Sequence, residues 1–464
     1  MTPRAPTTFL SGVIEGFYGQ PWTASERLQL FDWMAAWGLN TYFYAPKDDL
    51  HHRALWREPY SALDAEPLRL LTSACRERGL RFVYGLSPGL DIHYGREAEL
   101  TRLHERFEQM IALGCDDFAL LFDDIPDAMD AGDLERWGSL ASAQCHLANA
   151  LFAWTRERMP SARFMFCPTA YCGRMAAAKL GGDGYLETCG RELLPEIDVL
   201  WTGPEIISRE ITVAHVQAMR AVLCRKPIIW DNLHANDYDG RRFFCGPYSG
   251  RPAELIGQID GLLSNPNTEL PLNYVPLRTL ARFVAGPGPW DPRGAYRAAM
   301  EEWASSFTTI RGSLPLEDVI LFGDCYYLPY EEGPEAEALY RDACALVDRS
   351  DPSAAAAFRG RAARLRAFSR AVTELRNRPL FHALCRRTWD LREELELLER
   401  FAARGADENG TGSAMTSDFH LPGTYRGGLV ARLQQLLVQQ RDGTFVRSAG
   451  TLAARLGTET VHAR

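Results

Sequence analysis

Eight short apolar runs recur through the first 275 residues, and stretches of helical character separate them. Near-continuous apolar runs are typical of parallel strands that are buried on both faces. The runs occupy residues 12–17, 41–46, 81–88, 118–124, 163–171, 198–205, 227–232 and 270–275. Eight strands alternating with helices are what a (β/α)8 barrel requires, so we predict that fold. A doubly wound sheet stays open as an alternative, because the eighth run is the weakest.

The stretches between the runs are long enough for crossover helices. One of them, at 26–38, places Leu30, Trp33, Met34 and Trp37 along one helical face before a glycine. An apolar stripe of this width is typical of a helix that packs against a sheet, and the glycine is a common helix end. The alternation of strand and helix is therefore supported by the connecting segments as well as by the runs.

A cluster of prolines and glycines at 286–294 marks a change in composition, which predicts a domain boundary. The chain beyond it is rich in Ala, Arg, Leu and Glu, and residues 353–378 have helical periodicity. A second helical stripe is formed by Leu391, Leu395, Leu398 and Ala402. We predict a catalytic barrel at 8–290 and an all-helical domain at 291–464.

Composition and charge exclude several classes of partner. The net charge of −9 and the pI near 5.7 argue against nucleic acid and against an anionic membrane surface. No apolar run has the length of a signal peptide core or of a membrane span, which favours a cytoplasmic location. The eleven cysteines look like small core residues. Cys167 and Cys172 lack a second pair at zinc-ligand spacing, so we expect no metal and no cofactor.

Polar residues crowd the ends of the predicted strands, for example Glu15 and Gly16, Lys47, and Asp123 with Asp124. In a barrel these ends meet at one face, where active sites are built. The alternative is that such residues cap helices or solvate loops. Adjacent aspartates that end a run as apolar as FALLF favour catalysis instead.

The aspartate pair also indicates a mechanism. A conventional retaining glycosidase places its acid and its nucleophile about 5 Å apart, on opposite sides of the scissile bond. Consecutive residues at a strand end do not easily straddle a sugar ring, but both can reach one side of it. A 2-acetamido group on the sugar can supply the nucleophile, while the second carboxylate polarises the amide N–H. Adjacent like charges also help to keep one carboxyl protonated, as a general acid needs.

Six motifs carry a resemblance to the O-GlcNAcases of glycoside hydrolase family 84. They are GVIEGFYGQPWT, YFYAPKDDLHHR, LLFDDI, FCPTAYC, WDNLHANDYDGRR and the NPN at 265–267. They occur in family order and cover roughly residues 10–290, which is far more specific than a single short motif. The resemblance implies a (β/α)8 barrel and substrate-assisted, retaining hydrolysis of terminal β-linked N-acetylglucosamine.

The resemblance also implies roles for residues around the acetamido group. Asp123 is expected to hold and polarise the acetamido nitrogen, and Asp124 to act as general acid and then general base. Tyr171 is expected to hydrogen-bond the acetamido carbonyl oxygen. Trp230 is expected to wall the acetamido pocket, and Asn232 to bind near the acetamido group or the leaving oxygen.

Four further residues are expected from the resemblance to grip the sugar hydroxyls: Gly16, Lys47, Asp237 and Asn265. The residue types suit this role, because a glycine lets the backbone approach the sugar closely and the others donate or accept hydrogen bonds. The expected partner is thus a glycopeptide or glycan that bears N-acetylglucosamine, and a homodimer is left open.

Other functions compete with this hypothesis. One is a β-N-acetylhexosaminidase or hyaluronidase that acts on glycans. Another is a catalytically inactive barrel that binds sugar, although both aspartates are present. A third is a metal-dependent hydrolase that uses Asp123, Asp124 and His234, but its ligand set is poor.

A polar, glycine-rich loop at 405–428 follows the second helical stripe. It carries Phe419, His420 and Tyr425, whose exposure to solvent without any contact is unfavourable. We therefore expect the helical region to support the active-site face, either within one chain or across a dimer.

Overall fold

The computed structural model describes residues 8–286, 288–348, 351–404 and 428–436. Eight parallel strands form a closed barrel in chain order, and pairing of the eighth with the first completes the ring. The strands are β1 (Leu10–Glu15), β2 (Thr41–Tyr44), β3 (Arg81–Leu86), β4 (Asp117–Leu121), β5 (Phe164–Cys167), β6 (Asp198–Trp201), β7 (Ile228–Asp231) and β8 (Gly261–Ser264). The predicted (β/α)8 barrel is confirmed.

Helices separate most of the strands and make up most of the rest of the described chain. In the first part they are α1 (Ala24–Trp37), α2 (Ala62–Glu77), α3 (Glu97–Ala112), α4 (Ala131–Trp137), α5 (Leu140–Arg158), α6 (Gly173–Ala177), α7 (Tyr185–Glu192), α8 (Val213–Leu223) and α9 (Tyr274–Ala285). They continue as α10 (Pro292–Trp303), α11 (Leu316–Asp324), α12 (Pro334–Asp348), α13 (Pro352–Val372), α14 (Arg378–Arg404) and α15 (Gly428–Leu436). A small hairpin, β9 (Thr308–Thr309) with β10 (Gly312–Ser313), precedes α11.

Two compact units emerge from the contacts between residues. The first holds the described residues within Met1–Asp237, Tyr248–Leu270 and Leu277–Pro292, and the second those within Tyr238–Pro247, Pro271–Pro276 and Arg293–Arg464. The barrel strands all belong to the first unit. The division into a domain at 8–290 and a domain at 291–464 stays a prediction about independently folding parts.

The eighth strand was predicted in the wrong place. It lies at Gly261–Ser264, whereas residues 270–273 of the predicted run form a 3-10 turn that leads into α9. Pro271 cannot donate a ladder hydrogen bond, which disfavours a central strand there. Leu270 and Leu272 are nevertheless fully buried. Their run was apolar because it belongs to a core, and a short apolar run does not distinguish a strand from a buried turn.

The first helix shows why its ends and its buried face lie where they do. Thr23 and Glu26 form a reciprocal capping box at its start, and Gly38 ends it in a left-handed conformation. The predicted stripe is partly wrong. Leu30 and Met34 are buried as expected, but the two tryptophans of the stripe are half-exposed and stack on each other, and Phe31 is buried instead.

The second unit contains the predicted helical stripes. Helix α13 covers most of the segment predicted at 353–378, and α14 carries the buried side chains Leu391, Leu395 and Leu398. Residues 405–427, and with them Phe419, His420 and Tyr425, lie outside the described residues. Within the described ranges, no helix combines the length and apolar character that crossing a bilayer requires.

Alternating residues of the strands fill the barrel interior. The inward-facing core includes Ile14, Ala45, Leu121, Trp230 and Leu263. Because side chains on a strand alternate between its two faces, the next inward position lies two residues further along the chain. The barrel core therefore fixes which residues at the carboxyl ends of the strands face its mouth.

Candidate active site

One layer of side chains lies directly above the barrel core. Two positions beyond the last inward-facing core residues stand Gly16, Lys47, Asp123, Asn232 and Asn265. All five were predicted from the sequence as site residues, and the strand alternation brings them to the same mouth. The four with side chains are between 6 and 8% exposed. A small, polar, largely buried surface results.

The two carboxylate oxygens of Asp123 differ in their hydrogen bonding. Lys47 donates from Nζ to Oδ2, and the ion pair is almost completely buried. The other oxygen, Oδ1, is buried and has no hydrogen-bond partner among the described residues. Burial opposes ionisation of Asp123, but the charge and hydrogen bond of Lys47, assisted by Arg53, lower its pKa overall. Asp123 is thus an ionised acceptor with an unused lone pair.

Asp124 has a left-handed backbone, with φ at 52°. Few residues other than glycine adopt this conformation, and at functional sites such strain is held by the surrounding structure. The Tyr171 hydroxyl donates to Oδ1 at 2.7 Å, and the Tyr18 hydroxyl donates to Oδ2 at 3.0 Å. Burial and the charge of Asp124 raise the pKa of both phenols, so both remain hydrogen-bond donors.

Trp230 forms an apolar wall beside this pair. A Cβ atom built on Gly16 would lie 2.4 Å from Cζ2 of the indole, so only glycine fits there. On another side, Nζ of Lys47 lies 5.6 Å from the centre of the indole ring. The ring is therefore fixed between a backbone and an ammonium group, close to Asp123.

Two asparagines lie on the β7 and β8 side of the mouth. Asn232 donates from Nδ2 to the Ile206 carbonyl at 2.8 Å, and its Oδ1 accepts from Nδ2 of Asn265 at 3.0 Å. The Oδ1 atom of Asn265 is buried, and no residue in the described part of the chain hydrogen-bonds to it. Asn232 thus orients Asn265, which keeps a free acceptor at the mouth.

Asp237 lies in the loop after β7 and reaches the loop after β1. Its Oδ2 accepts from the backbone N–H of Tyr18 at 3.0 Å. Since the Tyr18 hydroxyl binds Asp124, Asp237 is connected to the aspartate pair through one intervening residue. The structure thus brings all nine sequence-predicted site residues to one barrel mouth.

Glu15 ends β1 but does not belong to this layer. Its carboxylate is fully buried and accepts from Nε and Nη2 of Arg27 at 2.8 and 2.7 Å. It also accepts from the Tyr42 hydroxyl and from the Trp22 backbone N–H. Because Ile14 faces the barrel core, Glu15 faces the surrounding helices, where it anchors the loop that begins at Gly16.

Two further carboxylates near the strand ends are also committed to the fold. Asp231 accepts from Nε and Nη2 of Arg251 and from the Tyr248 hydroxyl, all at 2.7 to 2.8 Å. Asp49 accepts from the hydroxyls of Tyr44 and Tyr60 at 2.7 and 2.8 Å. Neither carboxylate is available as a nucleophile at the mouth.

The arrangement of a buried ionised aspartate, a second aspartate held by two phenols and a tryptophan wall suits an N-acetylated sugar. A family model described as β-N-acetylglucosaminidase matches residues 11–314. The chain belongs to this β-N-acetylglucosaminidase family. The resemblance drawn from the motifs is confirmed, and with it the assignment to a family of glycoside hydrolases.

Relatives of this β-N-acetylglucosaminidase family member agree with the assignment. The Protein O-GlcNAcases of Rattus norvegicus and Mus musculus are both 48% identical over 275 residues, which are 59% of this chain and 30% of each relative. The chain thus matches less than a third of their length. A mutant of the O-GlcNAc hydrolase of Thermobaculum terrenum has a similar structure, with a TM-score of 0.75 and 26% identity over 87% of each chain.

The metal-dependent alternative finds no support in the donor geometry. Within the described ranges, the side chains close enough to share an ion are His93, Asp130 and Asp133, not Asp123, Asp124 and His234. That cluster is explained by the fold. Asp133 accepts from the backbone N–H groups of Tyr94 and Gly95, and Asp130 caps α4 and binds His93.

Sequence reasoning missed two residues that contact the aspartate pair. They are Tyr18 and Arg53, and neither was predicted as a site residue. Tyr18 lies in the middle of the motif GVIEGFYGQPWT, and Arg53 is the last residue of the motif YFYAPKDDLHHR. The motifs could have drawn attention to them, but only the fold shows which atoms they bind.

Proposed function

We propose that this protein hydrolyses terminal β-linked N-acetylglucosamine with retention of configuration, and that the acetamido group of the substrate is the nucleophile. The observation that carries the proposal is Oδ1 of Asp123, an atom to which none of the residues that the structure describes donates a hydrogen bond. It is a buried acceptor on an ionised carboxylate whose other oxygen is held by Lys47. An amide N–H is the donor that such an atom would take from this sugar.

In the first step, the Asp123 carboxylate accepts a hydrogen bond from the acetamido N–H, which increases the electron density on the carbonyl oxygen. That oxygen attacks the anomeric carbon, and the bond to the leaving oxygen breaks as Asp124 gives that oxygen a proton. The product is a bicyclic oxazoline, and the former amide proton is shared between its nitrogen and the Asp123 carboxylate. Preorganised charge of this kind stabilises a developing positive charge efficiently in a water-excluded site.

In the second step, Asp124 is the base. It removes a proton from water, the water oxygen attacks the anomeric carbon, and the oxazoline C–O bond breaks to restore the acetamido group. Two inversions at the same carbon give overall retention. Tyr171 supports both steps, because a substrate carbonyl that took over its hydrogen bond would release Oδ1 of Asp124.

The commitment of three carboxylates near the strand ends supports a substrate nucleophile. An enzyme nucleophile would need a free Asp or Glu across the mouth from Asp124, about 5 Å away. Glu15 and Asp231 are held by arginines, and Asp49 by two tyrosines. Attack by any of them would break a buried pair.

The roles of the remaining residues follow from their atoms. Gly16 allows close approach of the backbone to the sugar, and Lys47, Asp237 and Asn265 offer donors and acceptors to its hydroxyls. Trp230 covers the acetamido methyl group. The aglycone, a homodimer and the cytoplasmic location stay predictions, because the relatives named Protein O-GlcNAcase are matched over only 30% of their length.

Fluorination of the acetamido group tests the nucleophile. Replacing the acetyl by mono-, di- and trifluoroacetyl in an aryl glycoside should lower kcat/KM at each step, because fluorine withdraws electrons from the attacking oxygen. A stable thiazoline analogue should bind much more tightly than N-acetylglucosamine, since it resembles the intermediate. A flat response to fluorine, or a covalent glycosyl adduct on an Asp or Glu, would contradict the mechanism.

A substrate panel tests the class of aglycone. Aryl N-acetyl-β-glucosaminides, an O-GlcNAc peptide and hyaluronan should be compared in one assay. We expect hydrolysis of the aryl glycoside and the peptide. Turnover of hyaluronan alone would support the glycan-degrading alternative, and binding without turnover of all three would support an inactive sugar-binding barrel.

A further inference from the structure

We infer that Arg53 is a positioning residue that holds the backbone of Asp123 and Asp124 in the shape that catalysis needs. Its guanidinium group donates to the carbonyl oxygens of both aspartates. This inference rests on the proposed function for its kinetic consequences, but its structural content does not depend on activity.

The two aspartates would not share a site if β4 simply continued. Consecutive side chains on a strand point to opposite faces, so an inward Asp123 implies an outward Asp124. The left-handed backbone of Asp124, with φ at 52°, changes the direction of the chain. The Asp124 carboxylate therefore meets Tyr171, which lies beside the barrel core, and Tyr18, in the loop after β1.

A left-handed aspartate is unfavourable by itself and persists only where its surroundings fix it. Arg53 supplies that restraint. Nη2 donates to the Asp124 carbonyl at 2.5 Å, and Nη1 donates to the Asp123 carbonyl at 3.4 Å. The side chain is nearly buried, at 8% exposure. One fork thus spans the two peptide units on either side of the bend.

The same guanidinium group connects the bend to the loop after β1. Cζ of Arg53 lies 6.0 Å from the centre of the Tyr18 ring, and the Tyr18 hydroxyl binds the Asp124 carboxylate. Arg53 therefore fixes Asp124 at its main chain and orders one of the two phenols that hold its side chain. Only arginine offers two donors in a fixed planar geometry, whereas a lysine is a single point charge.

Two substitutions test this role in the full-length protein. Arg53→Met should lower kcat about 100-fold on a glycoside with a poor leaving group, because a shift of about 1 Å has that effect on positioned chemistry. The loss should be about tenfold or smaller on a dinitrophenyl glycoside, which needs little protonation. KM should stay within about threefold in both cases. Arg53→Lys should give the same pattern with smaller losses.

Arg57→Met is the matched control. Arg57 lies four residues further along the same loop and is held by Asp91 and Glu99, away from the aspartate pair. Loss of Arg57 should destabilise the loop, but it should lower kcat by the same factor on the two glycosides. The inference is wrong if Arg57→Met shows the same difference in kcat loss between the two glycosides as Arg53→Met. It is also wrong if Arg53→Met loses activity equally on both substrates. Full activity of Arg53→Lys would overturn it if Arg53→Met does not fold.

A crystal structure of the Arg53 variant gives an answer that does not require turnover. The inference predicts that Asp124 leaves the left-handed region and that its carboxylate moves away from Tyr171. An unchanged Asp124 would overturn the inference even in an active enzyme. An inactive wild-type protein with a displaced Asp124 in the variant would instead contradict the proposed function and support the inference.

Discussion

The two ends of the barrel use the same kind of side chain in opposite ways. Asp117 begins β4 at the amino end and is fully buried. Nε and Nη2 of Arg81 bind its two oxygens at 2.7 and 2.6 Å, and the backbone N–H of Arg163 binds Oδ1 at 2.7 Å. Every oxygen of this carboxylate has a protein partner.

Asp123 follows the same strand at the carboxyl end and is also buried, but within the described ranges its Oδ1 has no hydrogen-bond partner. An unsatisfied buried acceptor costs stability, and a protein without a use for it would be more stable with the acceptor bonded. Complete pairing at the amino end thus indicates a stabilising role. Incomplete pairing at the carboxyl end is what the proposed substrate-binding role of Asp123 requires.

Asp124→Asn should produce the largest effect on activity, and it tests the comparison at the carboxyl end of the barrel. We expect kcat/KM to fall about 1,000-fold on glycosides with poor leaving groups, since general acid catalysis contributes about 10²–10⁴. The loss should be clearly smaller on activated aryl glycosides. The melting temperature should change by about 2 °C or less. Steady-state kinetics on both substrates with a thermal melt measure this, and equal losses would remove the acid role.

Asp117→Asn should do the reverse. Removing one partner of a buried pair is strongly destabilising, but Arg81 is a third exposed and can regain water, so we expect about 2 kcal/mol. Denaturant unfolding measures the loss. kcat/KM of the folded variant should stay within about twofold of the wild type. A large kinetic loss without a stability loss would show that the two ends are not separated in function.

Gly16→Ala should have an intermediate effect on activity. The added methyl would lie 2.4 Å from the Trp230 ring, so the indole must move and the acetamido pocket must change shape. We expect kcat/KM to fall about tenfold, an effect of about 1.4 kcal/mol. Gly257→Ala is the matched control, because its methyl would meet nothing within 4 Å. Normal kinetics of the Gly16 variant would mean that Trp230 does not wall the pocket.

The smallest of the expected effects is that of Lys47→Met on the pH dependence of the unfolding free energy. The folded-state pKa of Asp123 lies below its usual value, so its stabilising contribution is present above that value and is lost as the pH falls through the folded pKa. Without Lys47, burial should raise this pKa instead. The contribution then exists at low pH and is lost as the pH rises.

Unfolding free energies between about pH 3 and pH 6 test this reversal, since that range spans the ordinary pKa of an aspartate. The slope of stability with pH should be less positive in the Lys47 variant than in the wild type. Identical slopes would mean that Lys47 does not control the ionisation of Asp123.

The sequence predicted the barrel well because burial on both faces leaves a strong apolar signal in seven of the eight strands. It failed at β8, where the four residues GLLS are less distinctive than the six-residue apolar run at 270–275 that follows. The NPN motif gave a better signal. Asn265 was expected in the site, and a strand that delivers it must end just before it.

The site was less predictable where it depended on which face a residue occupies. Glu15 and Gly16 are neighbours at a strand end, and a one-residue difference in register exchanges their faces. Only the pairing of β1 with β2 and β8 sets Glu15 outward. Arg53 was harder still, because its partners are main-chain carbonyls, which carry no signature in the sequence.

The ring of strands is completed by its first and last members, with Leu10 beside Gly261. A ribosome must therefore deliver every strand of the barrel before β1 gains its second neighbour. Until then β1 has an open edge, the kind of surface that pairs with other chains. Nascent chains that stop short of β8 should depend on chaperones and aggregate when released, whereas chains that extend past Ser264 can close the ring and cover that edge.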